Sequence, residues 1–278
     1  MAVENFTTFT ELDAGGFVTI NSANSITIAG DNSSKYSLYS DKGENHFSGD
    51  FEHLLETQYN HTDNTCLIGF WGLGNNTDGS TPHDLIDMDS AGQTFLYAMW
   101  YRSTSTTMYL RECDAGTLYT DSGGATNNTP YYCEIERDEA TGTYGTLILR
   151  MYTDSDRTSL YKTLSLTLHT AKTDFRTIYA ALSYGTISAT CSVDVDALDL
   201  QEAGTTHTVT GAITLPALEV SGTASKKHVY TATGAVTLPA LEVSGQASKK
   251  HVYEATGAIT LPALEVSGTA SKKHVYTA

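Results

Sequence analysis

Over the first two hundred residues, β-rich runs alternate with clusters of Gly, Asn and Asp. The runs are FVTINSANSITIAG from Phe17, DFEHLLETQYN from Asp50, CLIGFWGLG from Cys66, FLYAMWYR from Phe95, TMYLRE from Thr107, YYCEIERD from Tyr131, GTLILRMY from Gly145, SLYKTLSLTLHT from Ser159, TIYAALSYG from Thr177 and ATCSVDVDALDL from Ala189. Apolar side chains at alternate positions of such runs share one face. In YYCEIERD this parity turns Tyr131, Cys133 and Ile135 to a core and the glutamates to solvent. No segment offers a long amphipathic helix. Ten to twelve strands with turn punctuation in one domain predict an all-β, two-sheet antiparallel sandwich, and a jelly roll is the natural reading.

The pattern changes after about residue 203. GAITLPALEVSGTASKKHVYTAT from Gly211 recurs as GAVTLPALEVSGQASKKHVYEAT from Gly234 and again from Gly257. The three 23-residue repeats are thus 211–233, 234–256 and 257–278, the last one residue short. Ile213 and Leu215 alternate, Pro216 shifts the phase, and Leu218 and Val220 alternate again, which predicts two short β segments with a kink between them. Twenty-three residues cannot bury their own apolar face, so the units must stack on each other or on copies from neighbouring chains. The expectation is a domain over 1–203 followed by a repetitive β stalk or multimerisation segment over 204–278. A homo-oligomer, above all a trimer, or a filament would cover the open strand edges.

Charge follows the same division. Residues 1–203 hold 10 Lys and Arg against 28 Asp and Glu, whereas residues 204–278 hold 6 against 4. The whole chain of 278 residues carries −16, which argues against nucleic acid or acidic lipid as a partner. No run nears the roughly 18 apolar residues of a membrane-crossing helix, so no membrane insertion is expected. Cys66, Cys113, Cys133 and Cys191 are too few and too dispersed for a disulfide scaffold or a thiolate metal cluster. They read as buried free thiols, with a bridge such as Cys113 to Cys133 left open.

HFSGDFEHLLETQYN (His46 to Asn60), YYCEIERDEATGTYGTLILRMYTD (Tyr131 to Asp154) and VDVDALDL (Val193 to Leu200) occur in that order. By them residues 1–203 resemble concanavalin A-like jelly rolls of the laminin-G and pentraxin type, in which an F-x-G-D-F-E strand opens the core sheet and a Y-Y-x-x-I-x-R-D hairpin with a Gly-Thr turn follows. TLPALEVSG in the tail resembles the TLPAL-x-x-SG repeats of phage tail or head fibre proteins. Together the resemblances imply a virion fibre or decoration protein, with a lectin-like head on an oligomerising stalk. The opening MAVENFTTFTEL lacks the charged and apolar regions of a secretory leader. A phage structural protein needs none, because lysis releases it, and the expected location is a virion or the extracellular space.

For glycan binding by such a head, the candidate ligand-binding residues are Trp71, beside glycines and an Asn-rich loop, and Trp100 with Tyr101 at the end of FLYAMWYR. An aromatic face packs on the apolar face of a pyranose. The alternative for each, as for Tyr109, is a core or sheet-face aromatic. Glu134, Glu136 and Glu139 resemble the E-x-D-x-x-E motif of glycoside hydrolases on this fold, but with Glu at the centre and Arg137 in an apolar position. No catalytic residue is therefore assigned, and the protein is expected to be noncatalytic, with a polysaccharide hydrolase using Glu134 and Glu139 as an alternative. No cofactor is expected beyond a structural calcium, which the resemblance implies and for which residues 83–89 and Asp194 with Asp196 are the densest carboxylate groups. Lys226-Lys227-His228 and its two copies would form basic rungs that either bind anions or keep the strands soluble, with Glu219, Glu242 and Glu265 as their ion-pair partners.

Overall fold

A computed structural model describes residues 3–30, 35–60, 66–76, 84–184 and 191–201, with Cys66 by its backbone alone, and from residue 204 on the backbone of the strands only. The chain divides into two units, Met1–Leu200 and Gln201–Ala278.

In the first unit a 3-10 turn (Phe6–Thr8) precedes β1 (Thr10–Leu12), β2 (Val18–Ser22), β3 (Ser25–Gly30), β4 (Ser37–Asp41), β5 (Phe51–Tyr59) and β6 (Cys66–Gly74). After helix α1 (Leu85–Ser90) come β7 (Phe95–Arg102), β8 (Thr106–Asp114), β9 (Thr117–Gly124), β10 (Pro130–Asp138), β11 (Thr146–Tyr152), β12 (Leu160–Thr167), β13 (Thr177–Ser183) and β14 (Cys191–Asp199). They form two seven-stranded antiparallel sheets, sheet A in the order β1-β4-β13-β6-β7-β8-β9 and sheet B in the order β12-β11-β10-β5-β14-β3-β2. The chain crosses from one sheet to the other after β1, β3, β4, β5, β9, β12 and β13. This is an all-β sandwich of the jelly-roll kind.

Alternation builds the core. In β10, Tyr131, Cys133, Ile135 and Arg137 point inward while Glu134 and Glu136 point out, and β5 and β14 alternate in the same way. Across from them sheet A contributes Ile68, Phe70, Leu96, Ala98, Met108 and Leu110. A bulge between Gly69 and Trp71 in β6 lets Phe70 and Trp71 both enter the core, because the extra residue resets the side-chain parity.

Here the structure corrects two site assignments. Trp71 and Trp100 are 0% exposed, so neither offers a ring to a sugar. Trp100 lies among Tyr59, Phe70 and Tyr131 at centroid distances of 6.0, 6.1 and 6.0 Å, and its Nε1 donates to Thr57 Oγ1 at 2.9 Å. Trp71 Nε1 donates to His53 Nδ1 at 3.0 Å. Each indole is buried because its one polar group has a partner inside.

His53 is itself buried, stacked on Phe51 at 4.5 Å. Burial pushes its pKa down to about 3, whereas an unfolded-chain imidazole titrates near 6.5. Between those values the unfolded chain binds a proton that the native state refuses. Stability should therefore fall as the pH drops below about 6.5, by roughly 1.4 kcal/mol per pH unit from this group. His53→Gln, which keeps an acceptor for Trp71, should flatten that acid limb in denaturant midpoints measured from pH 7 to pH 4.

Sheet A is apolar on its outer face as well. Tyr39, Phe95, Tyr97, Met99, Cys113, Tyr179 and Leu182 form a second buried cluster with Leu85 and Met88 of α1. That is why β13 is buried at every position and β7 at its first six. Asp84 caps α1 by accepting from the Asp87 N–H at 3.0 Å, and Leu85 and Met88, one turn apart, face the sheet. Glycines in β6 make the room: a Cβ on Gly69 would stand 2.8 Å from Leu182 Cβ, and one on Gly72 would stand 2.7 Å from Leu182 Cδ1.

Cys113 and Cys133 are free and buried, so the bridge between them is not made. Cys191 is disulfide-bonded, which corrects the expectation of a free thiol there.

In the second unit β15 (Gly204–Thr210), β18 (Ala224–Thr233), β21 (Ala247–Thr256) and β24 (Ala270–Thr277) pair in that order. Two three-stranded sheets accompany them: β16 (Ile213–Thr214), β19 (Val236–Thr237) and β22 (Ile259–Thr260), and β17 (Leu218–Ser221), β20 (Leu241–Ser244) and β23 (Leu264–Ser267). All pairs are parallel, and those among the three repeats join equivalent residues, as in Leu218↔Leu241↔Leu264 and His228↔His251↔His274. Pro216, expected at the kink, lies outside the described residues.

Candidate functional site

The cover over the outer face of sheet A ends along β7. Its last two residues, Tyr101 and Arg102, are half-buried, and in β8 strict alternation returns with Thr107, Tyr109 and Arg111 half-buried. The register Tyr101↔Thr107, Met99↔Tyr109 and Tyr97↔Arg111 continues into β9 as Tyr109↔Ser122 and Arg111↔Thr120. The outer face of β7 to β9 thus presents Tyr101 and Tyr109 beside the exposed hydroxyl residues Thr120 and Ser122.

Tyr101 and Tyr109 meet edge to face, with centroids 5.3 Å apart and planes at 68°. The Arg111 guanidinium lies over the Tyr109 ring, its Cζ 4.4 Å from the centroid, a cation–π contact. Arg111 Nη1 stands 3.4 Å from the Tyr97 hydroxyl and 3.5 Å from Met99 Sδ. Burial pushes the Tyr97 phenol up to about 12. Of the three aromatics proposed from the sequence, Tyr101 lies on this face, while Trp71 and Trp100 lie in the core. Tyr109 was weighed in the sequence; Arg111 was not.

The glutamates of β10 are committed elsewhere. Arg150 Nη1 binds Glu134 Oε1 at 2.5 Å and Glu136 Oε2 at 2.7 Å, and the Tyr152 hydroxyl lies 3.4 Å from Glu134 Oε2. Glu139 Oε1 stands 3.5 Å from Arg137 Nη2. Each of these glutamates thus has a guanidinium group within ion-pair distance.

The carboxylates expected to hold calcium have protein partners too. Asp84 caps α1, Asp87 pairs with Lys35, and Asp89 accepts from the Cys113 thiol at 3.2 Å. Asp194 accepts from Thr27 Oγ1 at 2.7 Å and Asn60 Nδ2 at 2.5 Å. Among the described residues no group of three or more His, Cys, Asp or Glu side chains converges to hold a metal ion. His83 lies outside the described residues.

Another polar group ties the end of the sandwich together. The Glu112 side chain is 0% exposed and accepts from the His169 N–H at 2.8 Å and the Thr170 N–H at 2.8 Å, with His169 Nδ1 at 3.1 Å. The His169 ring stacks on Tyr119 at 3.5 Å. Arg137, which the hairpin pattern did not mark as buried, is 1% exposed and reaches the carbonyls of Lys172 and Tyr144, each at 3.4 Å.

No protein-family model matches the chain, and no curated protein matches it in sequence. Similar solved structures include the alginate lyase Aly36B, at 14% identity over 69% of this chain and 86% of that one with a TM-score of 0.42. They also include the marine PL-14 alginate lyase from Aplysia kurodai, at 11% over 69% and 90% with 0.46. A third is the legume lectin-like domain from Entamoeba histolytica, at 12% over 69% and 88% with 0.46. Lyases thus stand beside lectins among the similar structures, and the expectation of a noncatalytic protein is withdrawn.

Proposed function

We propose that the outer face of β7 to β9 is a glycan-binding surface. The observation that carries this reading is the half-buried pair Tyr101 and Tyr109, left open where the cover of α1 ends and bordered by the hydroxyls of Thr120 and Ser122. Aromatic rings take the apolar face of a sugar ring and neighbouring hydroxyls take its polar rim. On a glycan array probed with the full-length protein, replacing both tyrosines by alanine should weaken binding about tenfold or more. Trp100→Phe, a core change, should leave it. Equal binding by the double variant and the parent would overturn the assignment. Appearance of shortened chains in the same incubation would make the face an active site as well.

The repeats support a second element of this reading, in which several faces act together so that weak sites gain avidity. On it the protein sediments as an oligomer at micromolar concentration, a trimer being the expected form, and serves as a fibre or decoration protein outside the cell. The disulfide at Cys191 supports an oxidising exterior. A monomer in sedimentation would refute this element.

A further inference from the structure

Resting on the glycan-binding reading, the geometry points to one ligand class: a neutral glycan that bears an isolated carboxylate, which Arg111 holds through its guanidinium edge.

Arg111 differs from three other arginines of the domain. Arg137, Arg150 and Arg176 each face a carboxylate, at 3.5, 2.5 and 2.7 Å. Arg111 makes no ion pair among the described residues, and its Nε, like those of Arg102, Arg137 and Arg157, is buried without a hydrogen-bond partner. Its contacts are neutral and long: the Tyr97 hydroxyl, Met99 Sδ and the face of Tyr109. A half-buried cation without a counterion is costly to keep, and a planar fork of N–H donors matches the two oxygens of a carboxylate.

Charge restricts the ligand further. The outward positions of β7, β8 and β9 carry one charged side chain, Arg111. Around it is a domain with 10 basic and 28 acidic residues. A chain with a carboxylate on every sugar would meet one cation and a repulsive field. A chain with one carboxylate meets the cation and keeps neutral rings for Tyr101 and Tyr109.

The test uses full-length protein on an array of neutral oligosaccharides, their counterparts carrying a single glucuronic acid, and polyuronates of equal length. The parent should bind singly acidic chains at least tenfold more tightly than their neutral counterparts. Polyuronates should bind more weakly than singly acidic chains at 20 mM salt and gain as salt is raised, because screening removes the repulsion. Arg111→Gln should abolish the preference for the acidic member of each pair, and Arg111→Lys, which keeps the charge and loses the fork, should retain part of it; thermal unfolding checks that both variants fold. Equal binding of neutral and acidic members, or polyuronates binding tightest, would overturn this inference and leave the glycan-binding reading in place. No binding to any glycan would overturn both.

Discussion

Trp100→Ala is expected to cost the protein about 3–5 kcal/mol of stability, the range for removing a large aromatic from a closed core. The indole fills the space between the sheets among Tyr59, Phe70 and Tyr131. Its removal leaves a cavity and strands Thr57 Oγ1 without its buried donor. Trp100→Phe should cost much less, since most of the volume stays and the hydroxyl alone loses its partner. Denaturant unfolding of the full chain, followed by near-ultraviolet circular dichroism, measures both. A loss under 1 kcal/mol for the alanine variant would show that this side chain is not packed as described.

A second large effect is expected at Glu112, from a different cause. Its carboxylate takes the main-chain N–H groups of His169 and Thr170 inside the sandwich. Glu112→Ala leaves those donors buried and removes a negative charge near the buried Arg137. Breaking a buried charged network from one side costs about 3–5 kcal/mol. Glu112→Gln, which still offers one acceptor oxygen, should cost less. Amide hydrogen exchange distinguishes this from a general loss of stability: the His169 and Thr170 amides should lose more protection than those of β5 in the alanine variant. Equal loss at both places would refute the local clasp.

Most of the sandwich was legible from parity and punctuation. Every run named in the sequence contains a strand, and the inward side of β10 followed from Tyr131, Cys133 and Ile135. The same parity, carried two residues further, places Arg137 inside, where it is. It also bears on FLYAMWYR. Trp100 and Tyr101 are neighbours in one strand, so they face opposite sides of the sheet and cannot both belong to one surface. The strands β1, β4 and β9 escaped notice because they are short or polar, and TLYTDSGG ends in two glycines at a sheet edge. Helix α1 was hidden in a run read as carboxylate ligands, although Asp84 followed by Leu85 and Met88 has the spacing of a capped turn.

What the sequence did not show lies in long-range pairing. Glu112 and His169 are 57 positions apart, and no local pattern joins them. Arg111 is distinguished by what does not approach it, and only the assembled sheet shows that. The glycines of CLIGFWGLG were visible as letters. Their reason, room for Leu182 and α1, needed the neighbouring strand.

The parallel ladders among the three repeats join each paired residue to its equivalent in the next copy, as Lys226↔Lys249↔Lys272 do. Such a ladder tolerates length change only in whole units. Loss or gain of one 23-residue block leaves every surviving pair in register, while a shift of a few residues would put non-equivalent positions opposite each other in every later rung. Near-identical blocks are also the ones that misaligned recombination duplicates or deletes. The segment can therefore lengthen or shorten in steps of one repeat during evolution without any change of register between neighbouring rungs.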